Sequence, residues 1–249
     1  MSALRIERDW PVLRITLARP ERRNAFDAAL IAELADAFAD VGDARAVVLA
    51  GDGPSFSAGA DVDWQRSSID LTFEENVEDA MRLYRMLEAV DSCPSPVVVG
   101  VQGHALGGGS GLVACADIVV AAEDAVFGFS EVRLGIIPAV ISPFVLRRIG
   151  PGAARRYFLT GERFGAEVAV RIGLVHEVTP DLDDAVEGIV AALLAGGPEA
   201  VRAAKRLARE RPEGLDTARI AAERRTSPEG QEGLRAFLEK RDPSWKSSS

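Results

Sequence analysis

Short β-branched runs alternate along this chain with longer stretches whose apolar positions recur every three or four residues, and the alternation continues to about residue 180. Residues 12–18 (VLRITLA) alternate apolar with polar and read as a strand. Residues 19–24 (RPERRN) form a cation-loaded turn, after which Asp27 can cap a helix burying Leu30, Ile31, Leu34, Phe38 and Val41. Residues 46–50 (AVVLA) read as a short buried strand closed by residues 51–54. Residues 72–90 read as a helix with Val77, Met81, Tyr84, Leu87 and Val90 on one side, broken by Pro94 and Pro96. Strands are expected at 97–101 (VVVGV) and 117–122 (DIVVAA), with a helix opening at 110–115 between them.

This order predicts an α/β fold with helices packed on sheets. Beyond Pro180 the pattern turns helical, over 182–194, 198–209, 215–225 and 228–240. The expected division is a core of residues 1–195 and a helical region of residues 196–249, the latter suited to packing on a partner subunit. Arg241, Asp242 and Ser247–Ser249 read as a fraying end.

Composition narrows the function classes. A chain of 249 residues suits one large domain, with or without a small appendage. Its net charge of −9 argues against nucleic acid as a main partner but leaves room for a small anion held by local Arg and Lys. Cys93 and Cys115 stand outside any CxxC or Cys/His cluster and read as reduced, half-buried residues. Two isolated histidines, His104 and His176, make no typical zinc site, so no metal is expected. The N-terminal segment lacks a signal-type apolar region and no apolar run reaches spanning length, so a cytoplasmic protein without a membrane partner is expected.

Three segments carry candidate chemistry. In residues 56–61 (FSAGAD), small side chains let the backbone approach a ligand and turn an N–H toward it; an ordinary tight turn fits the same residues. In residues 103–112 (GHALGGGSGL), glycines precede a helix whose first N–H groups are unpaired and suit an anion; a close strand–helix turn fits as well. That turn lacks the GK[ST] ending of a phosphate loop and the GxGxxG spacing of a dinucleotide site. Glu131 stands in an apolar run, FGFSEVRLGIIP, where a carboxylate is either desolvated with a raised pKa or paired, for instance by Arg133.

Together, FSAGAD, then ALGGG, then SEVRLGIIP resemble the crotonase, or enoyl-CoA hydratase/isomerase, superfamily in order and spacing, and the resemblance runs from RPERRNAF (19–26) to GLRAFLEKRDPSW (233–245). It implies a spiral of repeated ββα units with a C-terminal helical trimerisation region, assembled as a homotrimer or a dimer of trimers. The implied ligand is an acyl-coenzyme A thioester, with no separate cofactor because coenzyme A is part of the substrate. The backbone N–H groups of Ala60 and Gly108, beside Gly107, would bind the thioester oxygen, each such donor lowering the barrier by about 3 kcal/mol. Ala58, Asp61 and Val62 would approach the adenine end of coenzyme A, and Arg22 and Arg23 its phosphates. Phe237 and Lys240 would reach the ligand from a neighbouring subunit. Trp64–Phe73 and Ile137–Ile141, with Trp64, Ile137 and Pro138 foremost, would line the acyl pocket.

One position departs from the family pattern. Many hydratases of this family hold water between two glutamates; here Gly111 occupies the first position and Glu131 the second. A single carboxylate can still move a proton between C2 and C4, or add and remove water on one face. Residues 131–150 and 227–245, with Trp64, resemble bacterial methylglutaconyl-CoA hydratase-like proteins of branched-chain breakdown. The expected reaction is therefore hydration or dehydration of a short or branched 2-enoyl-CoA such as 3-methylglutaconyl-CoA. A Δ3-Δ2-enoyl-CoA isomerase and a non-catalytic acyl-CoA-binding scaffold are the alternatives. A second carboxylate on the substrate would call for a cation in the pocket, and Arg66 is the candidate, with an exposed loop position as its other reading.

Overall fold

The computed structural model describes residues 2–246; the Ser247–Ser249 part of the expected fraying end lies outside them. β1 (Leu4–Asp9) pairs antiparallel with β2 (Val12–Leu17), and α1 (Ala28–Ala39) then returns the chain to β3 (Ala46–Gly51), parallel to β2. Asp27 caps α1 as expected, its carboxylate accepting from Leu30 N–H at 2.9 Å. Val41 is buried although α1 ends before it.

A short α2 (Val62–Ser67) and the long α3 (Phe73–Asp91) precede β4 (Val97–Val101). Thr72 and Glu75 close a reciprocal capping box at the start of α3. The apolar stripe expected along α3 holds for only its second half: Leu87 and Val90 are buried with Met86, whereas Val77 and Met81 are exposed. The first half leans over a cavity and turns Asn76, Asp79, Ala80 and Leu83 toward it, so cavity geometry decides its inner face.

Two ββα units follow. β4, β5 (His104–Leu106) and α4 (Gly108–Cys115) form one; β6 (Ile118–Ala122), β7 (Val126–Gly128) and α5 (Ser142–Thr160) form the next. The first strand of each unit joins the large sheet and the second joins a small one. β8 (Arg163–Gly165), α6 (Ala166–Arg171) and β9 (Glu177–Thr179) complete the core. The large sheet has six strands in the order β1-β2-β3-β4-β6-β9, and the small sheet has the order β5-β7-β8. This is the expected crotonase spiral.

The central strands are buried on both faces, as parallel strands covered by helices must be. Val47, Leu49, Val97 and Val99 enter the main core. Val48, Val98 and Val120 face the other way, onto Val186 and Val190 of α7 (Leu182–Ala195). The chain ends in α8 (Pro198–Glu210), α9 (Leu215–Thr226) and α10 (Pro228–Glu239). α8 is tied to the core by Lys205, whose ammonium donates to Asp117 at 2.6 Å and to the Ser95 carbonyl at 3.0 Å. α10 leaves Leu234, Phe237 and Leu238 exposed. Cys93 and Cys115 are buried more fully than expected, and burial raises both thiol pKa values. Among the described residues no helix is long and apolar enough to cross a membrane.

Candidate active site

The FSAGAD loop is held by its own backbone. Ser57 N–H donates to the His104 carbonyl and Ala58 N–H to the Arg23 carbonyl, each at 2.9 Å. Phe26 N–H donates to Gly59 O at 2.7 Å, and Asp61 N–H donates back to Phe26 O at 2.8 Å. These two bonds flank Ala60 and turn its N–H the other way, where it meets no acceptor among the described residues. Gly59 is obligatory at this point. Its φ is +91°, and an added Cβ would stand 2.8 Å from the Leu106 carbonyl oxygen.

The second glycine turn meets the first there. Gly107, with φ +51°, donates its N–H to the Gly128 carbonyl at 2.9 Å and starts α4 behind it. Gly108 is the first residue of α4, so its N–H has no intrahelical partner, and no other protein group accepts it. Ser110, fully buried, locks the turn by donating to Ala105 O at 2.6 Å.

Glu131 closes the arrangement. It opens a 3-10 turn, Glu131–Leu134, rather than lying on a strand. A Cβ on Gly107 would lie 3.2 Å from its Oε1, so the carboxylate rests against the glycine turn. Its Oε2 is buried with no hydrogen-bond partner. Desolvation raises its pKa above the ordinary glutamate range. Arg133 does not pair with it; the Arg133 stem packs against Gly161 instead. The desolvated reading of Glu131 is thus the one the structure adopts.

A cavity of about 440 Å³ unites these groups. Ala58, Ala60, Trp64, Gly107, Gly108, Glu131, Ile137 and Pro138, eight of the residues singled out in the sequence, lie on its wall. Other expected ligand contacts lie outside the wall. Asp61 is buried and caps α2, accepting from Asp63 N–H at 2.9 Å, with Arg19 3.5 Å away. Val62 is exposed at the first turn of α2. Arg22 pairs with Asp63 at 3.3 Å, and Arg23 occupies the left-handed end of the preceding turn. Phe237 and Lys240 sit at the exposed end of α10, away from the cavity of their own chain.

Of the stretches expected to line an acyl pocket, Trp64, Gln65, Ser68 and Ile137–Ile141 lie on the cavity wall, whereas Phe73 is exposed and is not part of it. Arg66 is bound by Asp63 at 3.0 Å and is absent from the wall, so it is not the pocket cation. Arg163 lines the cavity in its place. Sequence reasoning missed Arg163 together with Phe26, Leu106 and the α3 residues. Only the polar positions in the α3 stripe carried a signal.

The family model for enoyl-CoA hydratase/isomerase matches residues 7–248. The chain belongs to the enoyl-CoA hydratase/isomerase family. This family acts on acyl-CoA thioesters. A solved enoyl-CoA hydratase from Shewanella pealeana is 40% identical and superposes with a TM-score of 0.90, covering 98% of this chain and 96% of that one. The 2,3-dehydroadipyl-CoA hydratase of Escherichia coli is 34% identical over 99% of both chains. The crotonyl-CoA hydratase of Syntrophomonas wolfei is 34% identical over 95% of both.

Proposed function

We propose that the protein adds water to, or removes it from, a short 2-enoyl-CoA, straight, branched or carboxylated, such as 3-methylglutaconyl-CoA. The observation that carries this reading is the meeting, on one cavity wall, of two unpaired backbone N–H groups and one desolvated carboxylate. Ala60 N–H and Gly108 N–H receive the thioester oxygen. As water oxygen bonds to C3, the Glu131 carboxylate takes a proton from that water, and the C2–C3 electron pair moves onto the thioester oxygen. The two N–H groups stabilise this enolate, aided by the positive end of α4. Glu131, now protonated, delivers its proton to C2 on the same face, and the thioester reforms.

One carboxylate suffices for this cycle, and the protein offers no room for another at position 111. Gly111 is buried, and a Cβ there would lie 2.4 Å from Ile141 Cγ2. The same observation favours a second reading, Δ3-Δ2 isomerisation, in which Glu131 carries a proton from C2 to C4 without water. The names of the Escherichia coli and Syntrophomonas wolfei relatives support hydration.

In this reading the adenine and phosphate ends of coenzyme A extend past Ala58, Asp61 and Val62 toward Arg22 and Arg23. Phe237 and Lys240 are offered to the site of a second copy, and the exposed apolar end of α10 supports a trimer or a dimer of trimers. The deciding experiment incubates the purified protein with crotonyl-CoA, 3-methylglutaconyl-CoA and a 3-enoyl-CoA and resolves the products by mass. Gain of one water on a 2-enoyl ester supports hydration. Isomerisation without added water supports the second reading, and no turnover overturns both.

A further inference from the structure

We propose that Arg163 is the specificity-determining residue of this site and selects acyl-CoA esters whose acyl group ends in a second carboxylate. Strand register places this side chain. In the small sheet Leu106 is opposite Gly128, and Gly128 is opposite Arg163. Residues directly opposite one another project from the same face of a sheet. The neighbouring row, Ala105, Phe127 and Phe164, projects from the other face into the buried core, where the two phenyl rings stack at 5.9 Å between centroids. Leu106 lines the catalytic cavity, so Arg163 is aimed at that cavity too.

The Arg163 stem passes over Gly128. A Cβ at position 128 would be in van der Waals contact with both Arg163 Cγ, at 3.4 Å, and Leu106 Cδ2, at 3.5 Å, so the two side chains flank the same point of the sheet face. The guanidinium has no carboxylate or carbonyl partner among the described residues. The adjacent acid, Glu162, is engaged by Arg156 at 2.6 Å. Asp79, on another part of the wall, accepts from Trp64 Nε1 at 3.4 Å and forms no bond to Arg163. Arg163 forms no ion pair with Glu131 among the described residues, and Glu131 Oε2 is left without a hydrogen-bond partner there. Arg163 is therefore free to pair with a ligand rather than with the proton-transferring carboxylate.

Leu134, Ile136, Ile137 and Val140 add apolar surface to the same wall, which suits a short hydrocarbon segment between thioester and terminal carboxylate. Arginine presents a planar fork of donors that fits a carboxylate bidentately. The inference rests on the acyl-CoA reading above, and its test is arranged to be separable from it by using saturated esters that cannot react.

Binding of glutaryl-CoA and butyryl-CoA is measured by calorimetry on the intact protein and on Arg163→Gln, with circular dichroism confirming that both are folded. The native protein binds glutaryl-CoA about tenfold more tightly than butyryl-CoA, as a charge-assisted hydrogen bond allows. Arg163→Gln abolishes this preference while changing butyryl-CoA affinity by less than about twofold, and Arg163→Lys restores part of it. Equal weakening of both esters would assign Arg163 to coenzyme A and overturn the proposal. So would the absence of any preference in the native protein. Failure of either ester to bind would instead remove the acyl-CoA reading and the proposal with it, whereas a protein that binds with the stated preference but fails to hydrate any enoyl ester loses only the hydratase assignment.

Discussion

Ile141 occupies the space that a side chain on Gly111 would need: a Cβ at position 111 would lie 2.4 Å from Ile141 Cγ2 and 2.8 Å from its Cβ. Both residues are buried. The pair closes position 111 to a second carboxylate, because adding one there displaces a packed isoleucine.

Gly111→Glu is therefore expected to destabilise the protein by about 3 kcal/mol or more, through overpacking and an unpaired buried carboxyl. Removing the obstruction in Gly111→Glu/Ile141→Ala should recover about 1 kcal/mol of that loss as a coupling energy. Urea unfolding of the two single variants and the double variant measures it; strict additivity would show that the contact does not limit position 111.

Glu131→Gln is expected to lower kcat by about 100- to 10,000-fold while retaining acyl-CoA binding. Burial raises the Glu131 pKa, so this base ionises at a higher pH than an ordinary glutamate. The ascending limb of kcat/KM for hydration should be displaced upward accordingly, and a pH–rate profile from about pH 4 to pH 8 checks this.

The same shift has a stability consequence of opposite sense. A carboxyl whose folded pKa exceeds its unfolded value binds more protons in the folded state. Its contribution is complete below the unfolded glutamate pKa and is lost as pH rises through the folded one. At neutral pH Glu131 is then a destabilising residue, and Glu131→Gln should melt higher than the native protein. In acid below the unfolded value the difference should vanish, which thermal scans of both proteins at the two pH values would reveal.

Gly108→Val tests the backbone donor at the head of α4. A Cβ at this position would lie 2.9 Å from Phe26 Cδ2, so the turn must move and carry its N–H away from the thioester oxygen. A fall of about 100-fold in kcat is expected, the effect of losing one oxyanion donor. Steady-state kinetics with crotonyl-CoA provides the measurement, and an unchanged kcat would remove Gly108 N–H from the mechanism.

Lys205→Met tests the anchor of α8. The Lys205 side chain is 6% exposed and bonds Asp117, which also accepts from Val97 N–H at 2.7 Å. Removing the ammonium leaves a partly buried carboxylate without its cation and should cost about 2–3 kcal/mol. Chemical denaturation monitored by tryptophan fluorescence would show the shifted midpoint; no shift would mean that α8 docks without this pair.

Much of this molecule was legible along the chain because its cues are local. The valine runs at 97–101 and 118–122 specify buried strands whatever they pair with, and Asp27 and Thr72 announce helix starts through bonds to the next few residues. FSAGAD and ALGGG mark backbone that must lie close to something. Glu131 among apolar neighbours had to be either desolvated or paired, and only the structure chose between the two. The four C-terminal helices followed from their apolar spacing and their Pro, Ser and Gly punctuation.

The long helix α5 was not anticipated, because Gly150 and Pro151 interrupt its pattern, and Gly150 indeed kinks it at φ +71°. The roles of Asp61 and Arg66 also depended on partners. Asp61 turned into a cap and Arg66 into the mate of Asp63, contacts within a few residues that compete directly with a ligand.

The sequence by itself determined the alternation of strand and helix, the family, and the placing of Glu131 in an apolar run, since these depend on residue type and spacing. Tertiary structure alone decided what shares a wall with that acid. The register of three short strands put Arg163 beside Leu106, a bond pattern around Phe26 left Ala60 N–H unpaired, and Ile141 closed position 111. Each is a relation between segments far apart in the chain, and it acquires a direction and a distance only when the sheets close around the cavity.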